Sequence, residues 1–319
     1  MIDIIIPAYN AHNTIEETLF SIAYQDIANN CNIYIVNDAS DSNYDVIINF
    51  FSNFLNIKEL KLEKNSGPGT ARQFGIDNSN GKYIIFIDSD DVFSSPISIS
   101  SLFNEINKSN YDVIISNFLE ETDNGFIDKN NNTIWLHGKI YRREFLEKNN
   151  IKFNNSRSNE DNGFNQTILL AGAKTKYIDV KTYIWKNNKS SITRKNDYEF
   201  RYNGVLGYIF NIKWALDKAI KNNWNKKYIG ELSYMSLIFI YFIYLEYYKK
   251  DDIKELLKEA RQLKIISKKY DIDNNKKIEL LDNQYKNYYN DDNKYFLLNP
   301  IITFNDFLVL LDKVVAWLI

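Results

Sequence analysis

Residues 83–87 (YIIFI) are apolar at every position and pass without a break into Asp88, Ser89, Asp90 and Asp91. A strand that is apolar on both faces has to be covered on both, which a parallel sheet flanked by helices provides and a half-solvated hairpin sheet does not. Residues 2–6, 32–36, 59–62 and 112–116 are further strand candidates, and the stretches between them carry helical spacing. Ile15, Leu19 and Ile22 fall at i, i+4 and i+7, with Asn13 and Glu16 as a capping box that starts a helix near Thr14. Helices are also expected over 70–78, opening at the glycine-proline turn 65–69, and over 97–108. The alternation predicts an α/β domain built on a mainly parallel sheet.

After residue 117 the pattern loosens. A polar loop over 123–132 precedes a strand-like TIWLHGKIY (133–141), short helices near 143–148 and 162–170, and two strands over 176–180 and 182–185. From about residue 198 the chain reads as helix, at 209–220, 228–248 and 253–266, ending in LVLLDKVVAWLI. The expected division is a catalytic domain over 1–195 and a helical module over 196–319.

With 319 residues, 45% of them hydrophobic, the chain can bury a full core. Its 39 Lys and Arg against 41 Asp and Glu leave a net charge of -2, so no basic field exists to hold nucleic acid. A lone cysteine, Cys31, makes no internal disulfide, and His12 and His137 are too few for a Cys/His zinc site, which suits a reducing, cytoplasmic setting. No secretory signal is expected at the N-terminus. The apolar window 232–245 falls short of the roughly 20 residues that cross a bilayer and is expected to be a buried helix. No transmembrane span is expected; basic clusters at 249–250 and 268–269 leave peripheral contact with the inner face of a membrane open. Self-association through the Tyr/Phe-rich C-terminal helices is open as well.

Five segments can carry chemistry. Ligands of open α/β sheets gather at the carboxyl ends of strands, where Asp88, Asp90 and Asp91 are expected; paired carboxylates there suit a divalent cation, and a capped acidic turn is the other reading. Pro7 is expected to stop the first strand and leave Ala8, Tyr9 and Asn10 in a loop at that edge, where a tyrosine can lie against a base. The second strand delivers Asn37 and Asp38, the latter suited either to an imide N–H of uracil or to a helix cap. In NSGPGTARQFG, backbone amides at a glycine-rich turn favour a diphosphate and Arg72 adds a cation; neither the Walker ending nor GxGxxG spacing is present. Glu160 and Asp161 precede an apolar helix, one free to face substrate and the other to cap.

In this order the segments resemble the inverting glycosyltransferases of family 2, over residues 1 to about 194. The resemblance implies a GT-A fold, a Rossmann-like mixed sheet flanked by helices. It implies that Pro7, Ala8, Tyr9, Asn10 and Asp38 surround the nucleoside, that Asn65, Gly67 and Arg72 line the base and diphosphate side, and that Asp88 and Ser89 reach the ribose. Asp90, with Asp88, is implied to bind Mn2+ or Mg2+, and Asp161 is implied to be the catalytic base. Glu160 and His137 are implied on the acceptor side, a strand-end histidine being the other reading of His137. Ser190–Arg194 resembles a segment that closes over the diphosphate, giving Arg194 a nucleotide contact. The chain departs from many relatives in having no histidine after His137 to complete the metal site. The implied reaction transfers a sugar from a nucleotide-diphosphate donor, UDP-linked, to a hydroxyl of a glycan or other cell-surface polymer. Two rivals are a sugar nucleotidyltransferase, disfavoured because PAYNAHNT lacks the glycine-rich basic loop after the first strand, and a noncatalytic carbohydrate-binding protein using the chain's 15% aromatic residues.

Overall fold

A computed structural model describes residues 1–108, 110–188, 198–247, 253–289 and 303–313. The chain divides into two compact units, Met1–Asn211 and Ile212–Ile319. The domain boundary expected after residue 195 lies outside the described residues.

The first unit opens with β1 (Ile2–Ala8), α1 (Ile15–Ala23), β2 (Cys31–Asn37), α2 (Asp45–Phe51), β3 (Asn56–Lys61), α3 (Pro68–Asp77) and β4 (Tyr83–Phe86). It continues through β5 (Val92–Phe93), α4 (Ser98–Lys108), β6 (Val113–Thr122), β7 (Gly125–Lys129), β8 (Lys139–Arg142), α5 (Arg143–Lys148), α6 (Glu160–Leu170) and β9 (Thr175–Trp185), and enters α7 (Tyr198–Lys221). Among the described residues the strands form one sheet in the order β3-β2-β1-β4-β8-β6-β9-β5, with β7 paired to β6. β1 to β4 are parallel, β8 enters antiparallel between β4 and β6, and β9 returns parallel to β6. This is the expected mixed, mainly parallel sheet, and it sends the carboxyl ends of β1, β2, β4 and β9 to one edge. Ile4, Ile6, Ile33, Ile35 and Ile85 pack on one face with Leu19, Ile22 and Leu102 from the covering helices, all fully buried.

On the opposite face α3 lies so close to the sheet that an added Cβ at Gly75 would sit 2.5 Å from Ile5 Cγ2 and 3.1 Å from Val36 Cγ2. Gly75→Ala therefore sets a helix-propensity gain of about 1 kcal/mol against overpacking of about 1–3 kcal/mol. Overpacking is expected to win, because both neighbours are branched side chains in a fully buried layer. A lower urea midpoint with an unchanged slope is the expected result.

Four local expectations are corrected. Pro7 does not end the first strand: β1 runs through it, pairing Pro7 with Val36 and Ala8 with Asn37 of β2. Ile5 O accepts from Ile87 N on the β4 side and Ala8 O from Asp38 N on the β2 side, so by alternation the face of Pro7 that lacks an N–H looks toward β4. The pairing with β4 stops at Ile5 and Phe86, and no ladder bond is lost there. The two late strands are one, β9, whose register against β6 slips between Ser116 and Phe118 and so absorbs the polar break. Of the strand-like 133–141 only 139–141 pair, as the start of β8; the rest turns, with Gly138 at φ +63° where an added Cβ would meet Ser116. The capping box is not formed either: Thr14 is the N-cap without a side-chain cap, its hydroxyl bonding back to Ala11 O at 3.2 Å.

The second unit is helical, with the rest of α7, α8 (Lys226–Tyr247), α9 (Ile253–Lys269), α10 (Asn274–Tyr289) and α11 (Phe304–Lys313). Ile238, Ile240 and Tyr241 of α8, Leu256 and Leu263 of α9, and Phe307 and Leu311 of α11 are fully buried. α8 is longer than the apolar window predicted and is long and apolar enough to cross a membrane, but its most apolar window is 67% buried, as in a core helix.

Candidate functional site

Each parallel strand delivers polar residues to the shared edge. β1 ends in Pro7 and Ala8, followed by Tyr9, which is 52% exposed, and Asn10, held at φ +51°. Asn10 is locked to the loop after β2: its Nδ2 donates to Asp41 at 2.8 Å and its Oδ1 accepts from Asp41 N at 2.9 Å. β2 ends in Asn37, whose Oδ1 accepts from Ser40 N at 2.8 Å, and buried Asp38 follows it. The Asp38 carboxylate accepts from Ser66 N at 2.7 Å and from Gly67 N at 2.8 Å, bracing the glycine-proline turn before α3. Gly67 holds φ +87°, which favours glycine, and Arg157 lies over it while donating to the side chain and carbonyl of Asn65 at 3.1 and 2.9 Å. The nucleoside-side residues predicted from sequence thus form one bonded loop system, with Tyr9 standing open.

After β4 the chain enters the acidic turn. Arg72, on α3 and only 5% exposed, donates from Nη2 to Asp88 Oδ1 and from Nη1 to Glu160 Oε1, both at 2.6 Å. Asp88 Oδ2 stands 3.9 Å from His137 Nε2, and Asp91 Oδ2 stands 4.0 Å from the same nitrogen. Burial opposes the charge on Asp88, but Arg72 and His137 outweigh it and hold the carboxyl well below the usual range. Ser89 and Asp90 are partly buried, and Asp90 Oδ2 accepts from Asn188 Nδ2 at 2.9 Å. Burial and the charge of Asp88 push Asp90 up. Asp91 is buried: it accepts from the Tyr183 hydroxyl at 2.5 Å and from Lys186 N at 2.8 Å, and burial raises it well above the usual range. The His137 ring stacks on Tyr183 at 4.6 Å and is walled by Phe118, Trp135 and Trp185; burial lowers its pKa.

Donor atoms of Asp88, Asp91 and His137 lie within 4.8 Å of one another. Two carboxylates and one imidazole, with Asp90 beside them, are a donor set suited to Mn2+ and compatible with Mg2+. The metal residues expected from sequence were Asp88 and Asp90; here Asp88 is grouped with Asp91 and His137, and Asp90 is turned to Asn188. Sequence order gave no sign of Asn188, Tyr183 or Lys186, because nothing in a linear text says that the end of β9 pairs with β5, directly after the acidic turn.

Asp161 is the second residue of α6 and partly buried. Its Oδ1 accepts from Asn162 N at 2.7 Å, and burial, then the neighbouring Glu160 charge, raise its pKa to about 7, with Arg72 pulling the other way. Glu160 is 7% exposed and is spent on Arg72. Lys139 of β8 is buried and bonded to Trp135 O, with its pKa pushed down to about 7 by burial. Arg194 lies outside the described residues.

Residues 3–159 match the family model described as glycosyl transferase family 2. The uncharacterized glycosyltransferase EpsJ of Bacillus subtilis is 27% identical over 60% of this chain and 63% of its own length. The poly(ribitol-phosphate) beta-N-acetylglucosaminyltransferase TarS of Staphylococcus aureus is 27% identical over 58% of this chain and 35% of its own, and the minor teichoic acid biosynthesis protein GgaA of B. subtilis is 26% identical over 82% and 64%. The chain therefore spans less than two thirds of the length of these curated relatives. The crystal structure of S. aureus TarS 1–349 in complex with UDP-GlcNAc superposes with a TM-score of 0.67 at 18% identity, covering 92% of this chain and 93% of that one. The shared fold is GT-A.

Proposed function

Residues 3–159 are a glycosyl transferase family 2 domain, and from that premise we propose that the protein moves a sugar from a UDP-linked donor to a hydroxyl of a cell-surface glycan or polymer, with inversion at the anomeric carbon. The observation that carries the reading is the single Arg72 guanidinium bonded to both Asp88 and Glu160, because it brings the donor-side acidic turn and the segment of the base onto one side group. UDP-GlcNAc in the TarS structure, the poly(ribitol-phosphate) in the name of TarS and the teichoic acid biosynthesis in that of GgaA favour a UDP donor and a polyol-phosphate or glycan acceptor.

In this mechanism Tyr9 lies against the base, and the loop braced by Asp38 holds the nucleoside. Asp161 takes the proton of the attacking hydroxyl as that oxygen approaches the anomeric carbon opposite the leaving diphosphate. Asp88, with Asp91 and His137 grouped around it and Asp90 in the same turn, would hold a divalent cation, which when bound would supply Lewis-acid neutralisation of the departing diphosphate. Asp90→Ala is expected to abolish manganese-dependent UDP binding, measured by titration calorimetry with and without EDTA; unchanged binding removes Asp90 from the metal. We assign the reaction to the cytoplasm, in keeping with the single buried Cys31.

The decisive experiment incubates the protein with a panel of UDP-sugars and Mn2+ and follows free UDP with and without a polyol-phosphate polymer. Slow donor hydrolysis accelerated by the acceptor is expected. UTP formed in the presence of pyrophosphate would instead indicate a nucleotidyltransferase, and sugar binding without UDP release a carbohydrate-binding protein.

A further inference from the structure

We propose that Glu160, Arg72 and Asp88 form a positioning clamp that ties the start of α6 to the acidic turn after β4 and thereby fixes Asp161 in place and in charge. This rests on the reading of Asp161 as the base, and it gives Arg72 and Glu160 work other than the ligand contacts expected of them. Both terminal nitrogens of Arg72 are committed at 2.6 Å to carboxylates far apart in sequence. The approach of α3 to α6 is made possible by Gly69, where an added Cβ would lie 2.9 Å from Glu160 Cγ and 3.0 Å from Asn154 O. The guanidinium lies 6.0 Å from the centre of the Phe153 ring, which is itself stacked at 4.0 Å on Phe164 of α6. Arg72 is thus walled in by the neighbourhood of the very helix it anchors, and Asp161 is the next residue after its ion-pair partner.

The charged and titratable groups that act on Asp161 come from every side: Glu160 on its own helix, Arg72 from α3, Asp88 from the turn after β4, and Lys139 and Tyr141 from β8. Glu160 and Asp88 favour its protonated form and Arg72 its ionised form. Neutralising the two ends of the Arg72–Glu160 pair therefore has opposite consequences. A brace that only held the backbone would move both variants the same way or neither.

The test follows the Asp161 carboxyl directly by 13C NMR in aspartate-labelled protein without metal or substrate, the signal being assigned by its loss in Asp161→Asn. Glu160→Gln is expected to move the titration midpoint to lower pH and Arg72→Gln to higher pH, each by about one pH unit. Arg72→Lys keeps the charge, loses the two-armed fork and is expected to leave the midpoint near that of the unsubstituted protein, and it serves if Arg72→Gln does not fold. In the transfer assay Glu160→Gln and Arg72→Lys are expected to lower kcat about 10²-fold, the scale set by a small misplacement of a catalytic group. Manganese-dependent UDP binding should persist in both. A Glu160→Gln midpoint that stays put, Glu160→Gln and Arg72→Gln midpoints that move together, an Arg72→Lys protein with undiminished kcat, or loss of UDP binding with the Glu160→Gln midpoint unchanged, overturn the clamp. Opposite midpoint shifts in a protein that releases no UDP from any donor would leave the clamp standing and sink the transferase reading instead.

Discussion

Asp161→Asn is expected to lower turnover by about 10³-fold, within the 10²–10⁴-fold range of a positioned general base, while binding of UDP with Mn2+ changes little. The size of the effect follows from what the amide loses. Asparagine has nearly the shape of aspartate and can accept the Asn162 backbone bond that now holds Asp161 Oδ1, so α6 should keep its geometry. What disappears is the proton acceptor. In the unsubstituted protein burial and Glu160 hold Asp161 near pH 7, and a base acts only when ionised, so kcat/KM with saturating acceptor should rise with pH and level off above about 7. The amide variant should lose that ascending limb. Residual activity that keeps the limb would mean another group takes the proton. Stability carries a matching sign. A carboxyl whose pKa is raised by folding favours the native state below its unfolded value and loses that contribution as pH climbs through its folded one. Asp161→Asn should therefore raise the melting temperature more at pH 8 than at pH 5.

The second large effect concerns folding. Asp3→Ala is expected to destabilise the first unit by about 3–5 kcal/mol, the range for breaking one side of a buried ion pair. Asp3 is fully buried at the start of β1 and accepts from Arg143 Nη2 at 2.9 Å and from Asn32 Nδ2 at 2.9 Å, and the backbone amide of Gly81 also donates to it. Arg143 in turn donates to Gly81 O at 2.6 Å, Ile76 O at 2.9 Å and the Ser79 hydroxyl at 2.6 Å. Truncating Asp3 leaves that buried guanidinium with two carbonyls, the Ser79 hydroxyl and, for counter-charge, only the exposed Glu147 carboxylate 3.9 Å away. Denaturant unfolding of the variant should show a much lower midpoint, and a change under about 1 kcal/mol would mean that water replaces the carboxylate. The double variant Asp3→Ala with Arg143→Met removes both charges and should recover part of the loss.

The parts of the fold that periodicity alone could reach were reached. β1, β2 and β4 are dense in isoleucine and covered on both faces, so their signal does not depend on neighbours, and α1 and α4 show clean apolar faces. The failures have a common cause. Pro7 reads as a strand breaker until the strand order reveals that its missing donor falls beyond the pairing with β4. The break in β9 reads as two strands until pairing with β6 shows that β9 bulges there and continues as one. At the site, the carboxylates announced themselves by ending an apolar strand, and Asp161 by its place before a helix. Their partners did not. Arg72 meets Glu160 across a separation of 88 residues and Asn188 meets Asp90 across 98, contacts that exist only because α3 packs on α6 and β9 ends against β5, next to the acidic turn.

Pro7 also has a consequence for how the site stays accessible. Two parallel strands of high β-propensity would ordinarily go on zipping until something stops them, and Ile6 and Ile87 supply no polar reason to stop. At Pro7 the missing amide hydrogen withholds the next rung on the side of β4, so the strands part there, β1 following β2 while the β4 chain turns away into its aspartates. A single absent hydrogen atom acts as a spacer that keeps the aromatic rim of Tyr9 and the acidic turn from being stitched together. Any residue with an amide proton at position 7 would remove that spacer.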